Sequence, residues 1–278
     1  MPSILKSNLN YRVGTYGHMF TRLKEAKNVK NVDVLFLGSS HAYRGFDPRI
    51  FKKYGFSSFN LGSSSQTPLQ TKVLLERYLV SVNPKLIVYE VYPGTFSSDG
   101  VESGLDLIAN EKNDQFSKQM VCNINNIKVY NTYFYGLIND NLNLNKSFTE
   151  SKKTKVDSYI EGGYVESKIR KIKDTTYKTK PWIFNEKQFK AFDEILLMLK
   201  EKKVRYILVY APITKALRKS YTNNVYFDSV MNTKGPYYDF NYIQDLKDTE
   251  HFYDAHHLNQ LGVNIFNHIF LDSLKNLK

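Results

Sequence analysis

Val34-Leu35-Phe36-Leu37-Gly38-Ser39-Ser40-His41 is the stretch on which the fold turns. Its apolar run, stopped by a glycine and two serines, is too short for a buried helix. It suits a strand covered on both faces. Asp47-Pro48, just downstream, has the form of a helix start, with Asp as N-cap and Pro at the first helical position. Ile50 and Phe51 would then face the core.

The same alternation repeats outward from this point. Upstream, residues 1–31 read as a polar lead-in with a short amphipathic helix at Met19–Ala26. Downstream, Phe59–Gly62 reads as a second strand, followed by helical spacing from Leu69 to Val82 through Val73, Leu74, Tyr78 and Leu79. Leu86–Val91 is a third apolar run, closed by Pro93-Gly94. Phe189–Lys202 is amphipathic and feeds a fourth strand, Val204–Tyr210. Asn259–Leu277 repeats Leu261, Ile265, Phe266, Ile269 and Phe270 at helical spacing. Strands alternating with helices predict an α/β three-layer sandwich around a central parallel sheet, with right-handed crossovers. In such sheets, sites form where strands end. One domain is expected over 32–278, interrupted at about 96–181. That Asn-, Lys-, Ser- and Thr-rich stretch is too long for a loop. It reads as a largely helical insertion packed over the sheet's carboxyl edge.

With 278 residues, 42% hydrophobic and 24% charged, the chain has the size and balance of one large globular domain. One cysteine, Cys122, rules out an intrachain disulfide. No apolar run approaches the roughly 18 residues of a membrane helix. The first thirty residues, with Lys6, Arg12, Arg22, Lys24 and Lys27, lack the apolar core of a signal peptide. A cytoplasmic location is therefore expected unless an anchor precedes this stretch. In that case the place would be extracytoplasmic or membrane-associated. The net charge of +12 favours anionic partners at long range. The bases, however, run from end to end, as in Lys152, Lys153 and Lys155, then Lys168, Arg170, Lys171 and Lys173. No zinc-finger spacing, RRM signature or long basic helix accompanies them, so specific nucleic-acid binding is not expected. An anionic glycan or a membrane surface fits the charge equally well, and a compositional bias is the plainest reading.

Three motifs carry chemistry. Ser40 sits where a buried strand turns into a helix, and backbone N–H groups at such a turn can receive developing negative charge. Its hydroxyl needs a base beside it. Asp254-Ala255-His256-His257 precedes the last helix. An Asp three residues before a His can hold the imidazole tautomer whose Nε2 accepts the serine proton. A metal set of His251, Asp254, His256 and His257 is the alternative, without supporting ligands elsewhere. Gly62, after the second strand, allows close backbone approach and a donor N–H. No cofactor is called for.

Together these motifs resemble the SGNH (GDSL-like) hydrolase superfamily, including the bacterial branch associated with O-acylation of surface polysaccharides. The resemblance covers roughly residues 32–94 and 183–278, and implies a flavodoxin-like SGNH fold. It implies Ser40 as nucleophile, with Ser39 where the family often has Asp, and His257 and Asp254 as base and orienter. The oxyanion donors would be the Ser40 and Gly62 N–H groups. The third block departs from the pattern: Glu90-Val91-Tyr92-Pro93-Gly94 lacks the family's oxyanion Asn. Losing one such donor costs about 10²–10³ in rate, and Tyr92 is the expected substitute. His41, Arg44, Glu90, Tyr92 and Gln66 are candidate substrate contacts. Arg44 would hold an anionic group, with pairing to Asp47 as the alternative, and Glu90 would orient His41 or Arg44. Thr67 and Trp182 are further candidates for sugar contacts. The implied activity is a serine esterase or O-acyltransferase working on an acyl, most simply acetyl, ester of a carbohydrate, through an acyl-serine. A membrane-bound acyl-transfer partner would fit that role. The alternative is a catalytically weak carbohydrate-binding or scaffold protein on the same fold.

Overall fold

The computed structural model describes residues 8–14, 17–168 and 170–275. The start of the lead-in and the expected helix end at Leu277 lie outside these residues. The strands are β1 (Val34–Leu37), β2 (Ser58–Asn60), β3 (Leu86–Glu90), β4 (Asp157–Ile160), β5 (Tyr164–Ser167), β6 (Arg205–Tyr210) and β7 (Tyr237–Asp239). Five of them form one wholly parallel sheet in the order β2-β1-β3-β6-β7. The chain moves outward from β1 to β2, then reverses to β3. The switch point of the sheet therefore lies between β1 and β3, where ligand crevices form in such folds.

The central strands β1, β3 and β6 each feed two cores, because successive side chains point to opposite faces. Leu35 and Leu37 pack with Ile87, Tyr89 and Leu208 in one core. That core is closed by α1 (Met19–Ala26), α4 (Pro68–Val82) and α9 (Glu186–Glu201). Val34 and Phe36 pack with Val88, Ile207 and Val209 in the other. Here α2 (Ser40–Gly45), α3 (Pro48–Lys53) and α13 (Gln260–Lys275) form the cover. The α/β three-layer architecture expected from the sequence is the one observed. Asp47 caps α3 by accepting from Arg49 N–H, and Ile50 and Phe51 are buried as expected.

The middle of the chain, expected to be a largely helical insertion, holds helices and one hairpin. Three helices, α6 (Val101–Asn110), α7 (Gln115–Ile124) and α8 (Ile127–Leu142), follow the short α5 (Pro93–Phe96). They pack on the flank of α4 and α1, not over the carboxyl edge. The next part is an antiparallel hairpin, β4–β5. Its turn, Gly162-Gly163, docks on the edge of β2, where Asn60 N–H donates to Gly162 O at 2.9 Å. Gly163, at φ +82°, lies so near the Asn60 carbonyl that any side chain would collide with it. The edge strand β7 also escaped the sequence pattern. Its three residues are half-buried, and no apolar run marks them. The remaining helices are α10 (Lys215–Lys219), α11 (Asn224–Lys234) and α12 (Asp248–His251). None of the described helices is long and apolar enough to cross a membrane.

Candidate active site

At the end of β1 the chain turns through Gly38, at φ +131°, into α2. Ser39 caps that helix, its Oγ accepting from His41 N–H, and Ser40 is the first helical residue. Ser40 is half-buried at the carboxyl edge of the sheet. Among the described residues nothing accepts from its backbone N–H, as expected for a first-turn donor.

The histidine comes from the loop between α12 and α13. Phe252 and Leu258 bridge across that loop, and Tyr253 N–H donates to His257 O at 3.1 Å. Asp254 Oδ1 accepts from the N–H groups of His256 and His257, both at 2.8 Å. This turn sets the carboxylate beside the imidazole, 2.9 Å from His257 Nδ1. Burial pushes the Asp254 carboxyl up, but the hydrogen bond and charge of His257 and the two N–H donors outweigh it. They hold it down at about 2. Thr214 N–H and Oγ1 both donate to Ala255 O and tether the loop to the end of β6. Asn267 of α13 donates to Gly45 O and accepts from Asp47 N–H, so the final helix is pinned to α2 and α3. The result is a contact across the whole chain: His257 Nε2 lies 2.8 Å from Ser40 Oγ. Serine, imidazole and carboxylate form one continuous hydrogen-bonded line.

The other expected site residues fare differently. Gly62 is placed at the turn after β2, but its N–H donates to Asn60 Oδ1 at 2.9 Å. In this arrangement it is not free to serve an oxyanion, a correction to the expected pair of donors. Asn60, which also donates to Ala42 O, fixes this turn to α2. A buried Asn two residues before Gly62 was the available signal, and its role was missed. Gln66 is buried, with its amide spent on Ser63 and Thr71, so it does not face substrate. Thr67 is buried as the N-cap of α4. Arg44 is not an open anion clamp. It holds Asp157 of β4 bidentately at 2.8 and 3.1 Å. Asp47 pairs with Arg49 instead. Trp182 is buried and stacked on Tyr221 at 3.4 Å, closed to a sugar ring. His251 accepts from Lys247 N–H, and among the described residues no cluster of three or more metal-ligating side chains is present.

Glu90 and His41 meet through Ser39, which the sequence reading noted only as standing where the family often has Asp. Ser39 bridges them: its Oγ lies 2.9 Å from both Glu90 Oε2 and His41 Nδ1, and its N–H donates to the same carboxylate. Glu90 makes no contact with Arg44; Arg44's carboxylate partner is Asp157. The His41 ring lies 4.3 Å from Tyr92 and is stacked on His257 at 5.2 Å, behind the triad. Burial, then the neighbouring His257 and His256, push the His41 pKa well down. Burial also pushes Glu90 up to about 7, against the donors of Ser39 and Tyr92.

That raised carboxyl has a measurable consequence. Between its ordinary 4.5 and about 7, the unfolded chain loses this proton while the folded one keeps it. Folding stability from this group is thus present below pH 4.5 and is lost as pH rises towards 7 and beyond, by roughly 3 kcal/mol at most. Asp106, also raised to about 7 by burial, adds to the same window. Glu90→Gln keeps an acceptor for Ser39 and removes one titration. Urea unfolding at both ends of the window should give a flatter pH dependence for this variant, and identical slopes would contradict the assignment.

The hollow beside His257 is small. The hollow between His41, Arg44, Pro212, His256 and His257 holds only about 10 Å³. A larger one, about 670 Å³, lies at the opposite edge of the sheet among Val34, Phe56, Leu86 and Tyr206, away from the chemistry.

No protein-family model matches the chain, and no curated protein matches it. Solved structures do. A GDSL-like lipase from Bacteroides thetaiotaomicron superposes with a TM-score of 0.46 at 12% identity, covering 95% of this chain and 100% of its own. A Bacteroides fragilis protein provisionally described as an acylhydrolase gives 0.46 at 11%, covering 92% and 94%. A gut microbial diltiazem-metabolizing enzyme gives 0.28 at 14%, covering 88% of this chain and 47% of its own. At scores this low the likeness carries no argument about chemistry. What the molecule offers on that question is the hydrogen-bonded line from Asp254 through His257 to Ser40.

Proposed function

We propose that this protein is a serine esterase or O-acyltransferase acting on an acyl ester, acetyl in the simplest case, carried by a carbohydrate. The observation that carries the reading is the 2.8 Å contact between Ser40 Oγ and His257 Nε2, with Nδ1 held by Asp254. Ser40 Oγ attacks the ester carbonyl as its proton passes to His257 Nε2. The imidazolium so formed is stabilised by Asp254. The tetrahedral oxyanion is received by the Ser40 N–H. Collapse breaks the ester bond, and the leaving alkoxide takes the proton back from His257. Water or a sugar hydroxyl, deprotonated by His257, then attacks the acyl-serine and releases the acyl group. Which acceptor prevails depends on water access. The carbohydrate as acyl carrier rests on the sequence resemblance.

One observation favours the weaker alternative, a carbohydrate-binding scaffold with feeble catalysis. Gly62 N–H is engaged and the third-block Asn is absent, which leaves Ser40 N–H as the one free donor of the expected set. A fluorophosphonate probe separates the two readings. The enzyme should be labelled on Ser40 alone and should release a burst of p-nitrophenol from p-nitrophenyl acetate. Labelling of a different residue, or none in the native protein, would remove the esterase.

A further inference from the structure

Ser39 and His41 flank Ser40 in the chain, and the three part company at once. Ser40 Oγ meets His257. Its two neighbours bond each other instead, Ser39 Oγ lying 2.9 Å from His41 Nδ1. Ser39 then donates to Glu90 Oε2 from its N–H at 3.1 Å and from its Oγ at 2.9 Å. With its one hydroxyl proton given to Glu90, Ser39 Oγ can only accept, so His41 carries its ring hydrogen on Nδ1. The two lone pairs of that oxygen take the backbone N–H and the Nδ1–H of His41. The other ring nitrogen agrees. His41 Nε2 is buried and meets no partner among the described residues, which suits a bare lone pair better than an N–H. The donors therefore run one way, from His41 through Ser39 to a carboxylate at the end of β3.

The opposite neighbour of His41 is the base. The two imidazoles are stacked, 5.2 Å between centroids and 25° between planes. Of the rings around His257, Tyr253 and His256 share its loop, whereas His41 comes from the nucleophile's own helix. Asp254 and Ser40 hold the two nitrogens of His257, which leaves the tilt of the ring to whatever lies against its face. The need is greatest after acylation. Ser40 Oγ then bears the acyl group and has no proton for Nε2, so the imidazole keeps only Asp254 and its stacked rings while the acceptor approaches.

We infer that Glu90, Ser39 and His41 are positioning residues, a relay that fixes one ring against His257 and keeps the base aimed at Ser40 through both halves of the reaction. The inference rests on the esterase reading and adds to it three residues outside the line from Asp254 to Ser40. The charge on Glu90 matters to the relay, because a carboxylate holds Ser39 more tightly than a neutral carboxyl does. Among the described residues no Lys or Arg pairs with Glu90. Tyr89 beside it, Tyr92 at the start of α5 and Tyr210 on β6 are all pushed up by burial and stay uncharged. About His41 stand Tyr92, His256 and His257, and Arg44, across the small hollow, is paired with Asp157. Burial raises Glu90 to about 7, so the relay tightens as pH rises through that point.

The test compares the native protein with His41→Phe, Ser39→Ala and Glu90→Gln on p-nitrophenyl acetate. His41→Phe keeps a ring against His257 but has nothing to donate to Ser39. Ser39→Ala breaks the relay in its middle and also removes the cap of α2, so its folded fraction is measured alongside. Both should lower steady-state kcat by about 10–100-fold, and KM should fall with it because deacylation suffers most. Glu90→Gln keeps the acceptor and lacks the charge, so the ratio of native to variant kcat should climb as pH passes about 7. Native turnover in His41→Phe, or a Glu90→Gln ratio that stays constant with pH, overturns the inference. A native protein that gives neither a burst nor a fluorophosphonate label overturns the esterase reading instead. The far-downfield proton resonance of His257 Nδ1–H then still decides the relay: it should be sharp in the native protein and broadened in His41→Phe and Ser39→Ala. An equally sharp signal in all three overturns it.

Discussion

Ser40→Ala is expected to cut turnover of p-nitrophenyl acetate by about 10⁴–10⁶-fold, and His257→Ala by a similar factor. The two losses are alike because the groups act as one unit: without the imidazole the hydroxyl keeps its proton, and without the hydroxyl the imidazole has nothing to activate. Removing both should therefore cost little more than removing either. Both side chains lie at the surface edge of the sheet, and neither supports a core, so circular dichroism and melting should match the native protein. A Ser40→Ala protein that still turns the ester over at the native rate would end the mechanism. Additive losses in the double variant would mean that the two groups work apart.

Gly38→Ala should be the most damaging small change to the scaffold. A methyl group there would lie 2.7 Å from both the Cβ and the carbonyl oxygen of Glu90, and the backbone would be held at φ +131°. Glu90 cannot retreat, since β3 is paired on both sides, to β1 and to β6. Relief must come from the β1–α2 turn itself, which carries Ser39 and Ser40. We expect a loss of about 3–5 kcal/mol in stability and a fall in activity beyond what the unfolded fraction explains. Urea unfolding and active-site labelling of the folded fraction test this. Native stability with native labelling would show that the turn has slack the geometry does not suggest.

The layered framework was legible because it rests on local pattern. Val34–Leu37, Leu86–Val91 and Val204–Tyr210 are dense apolar runs, and the helices between them keep a regular spacing. The triad was legible for a related reason, since Asp254 and His257 belong to one tight turn and Ser40 to another. What stayed hidden depends on partners distant in sequence. Arg44 meets Asp157 across 113 positions, and neither neighbourhood hints at the other. Asn267, which ties the last helix to α2, looks like any polar residue in an amphipathic stretch. The occupied N–H of Gly62 depends on a side-chain rotamer of Asn60, which no spacing rule encodes. The hairpin β4–β5 was lost in a stretch whose composition signalled only irregularity.

Ser40 and His257, the proposed nucleophile and base, are separated by 217 positions, and His257 stands just ahead of α13. On the proposed reading, the Ser40 hydroxyl gains its base only once residue 257 has been made. Chains stopped before that point would hold Ser40 without a base, and without α13 the contacts of Phe46 and Phe51 with Phe270 would be missing. On that reading, synthesis comes before activation by topology.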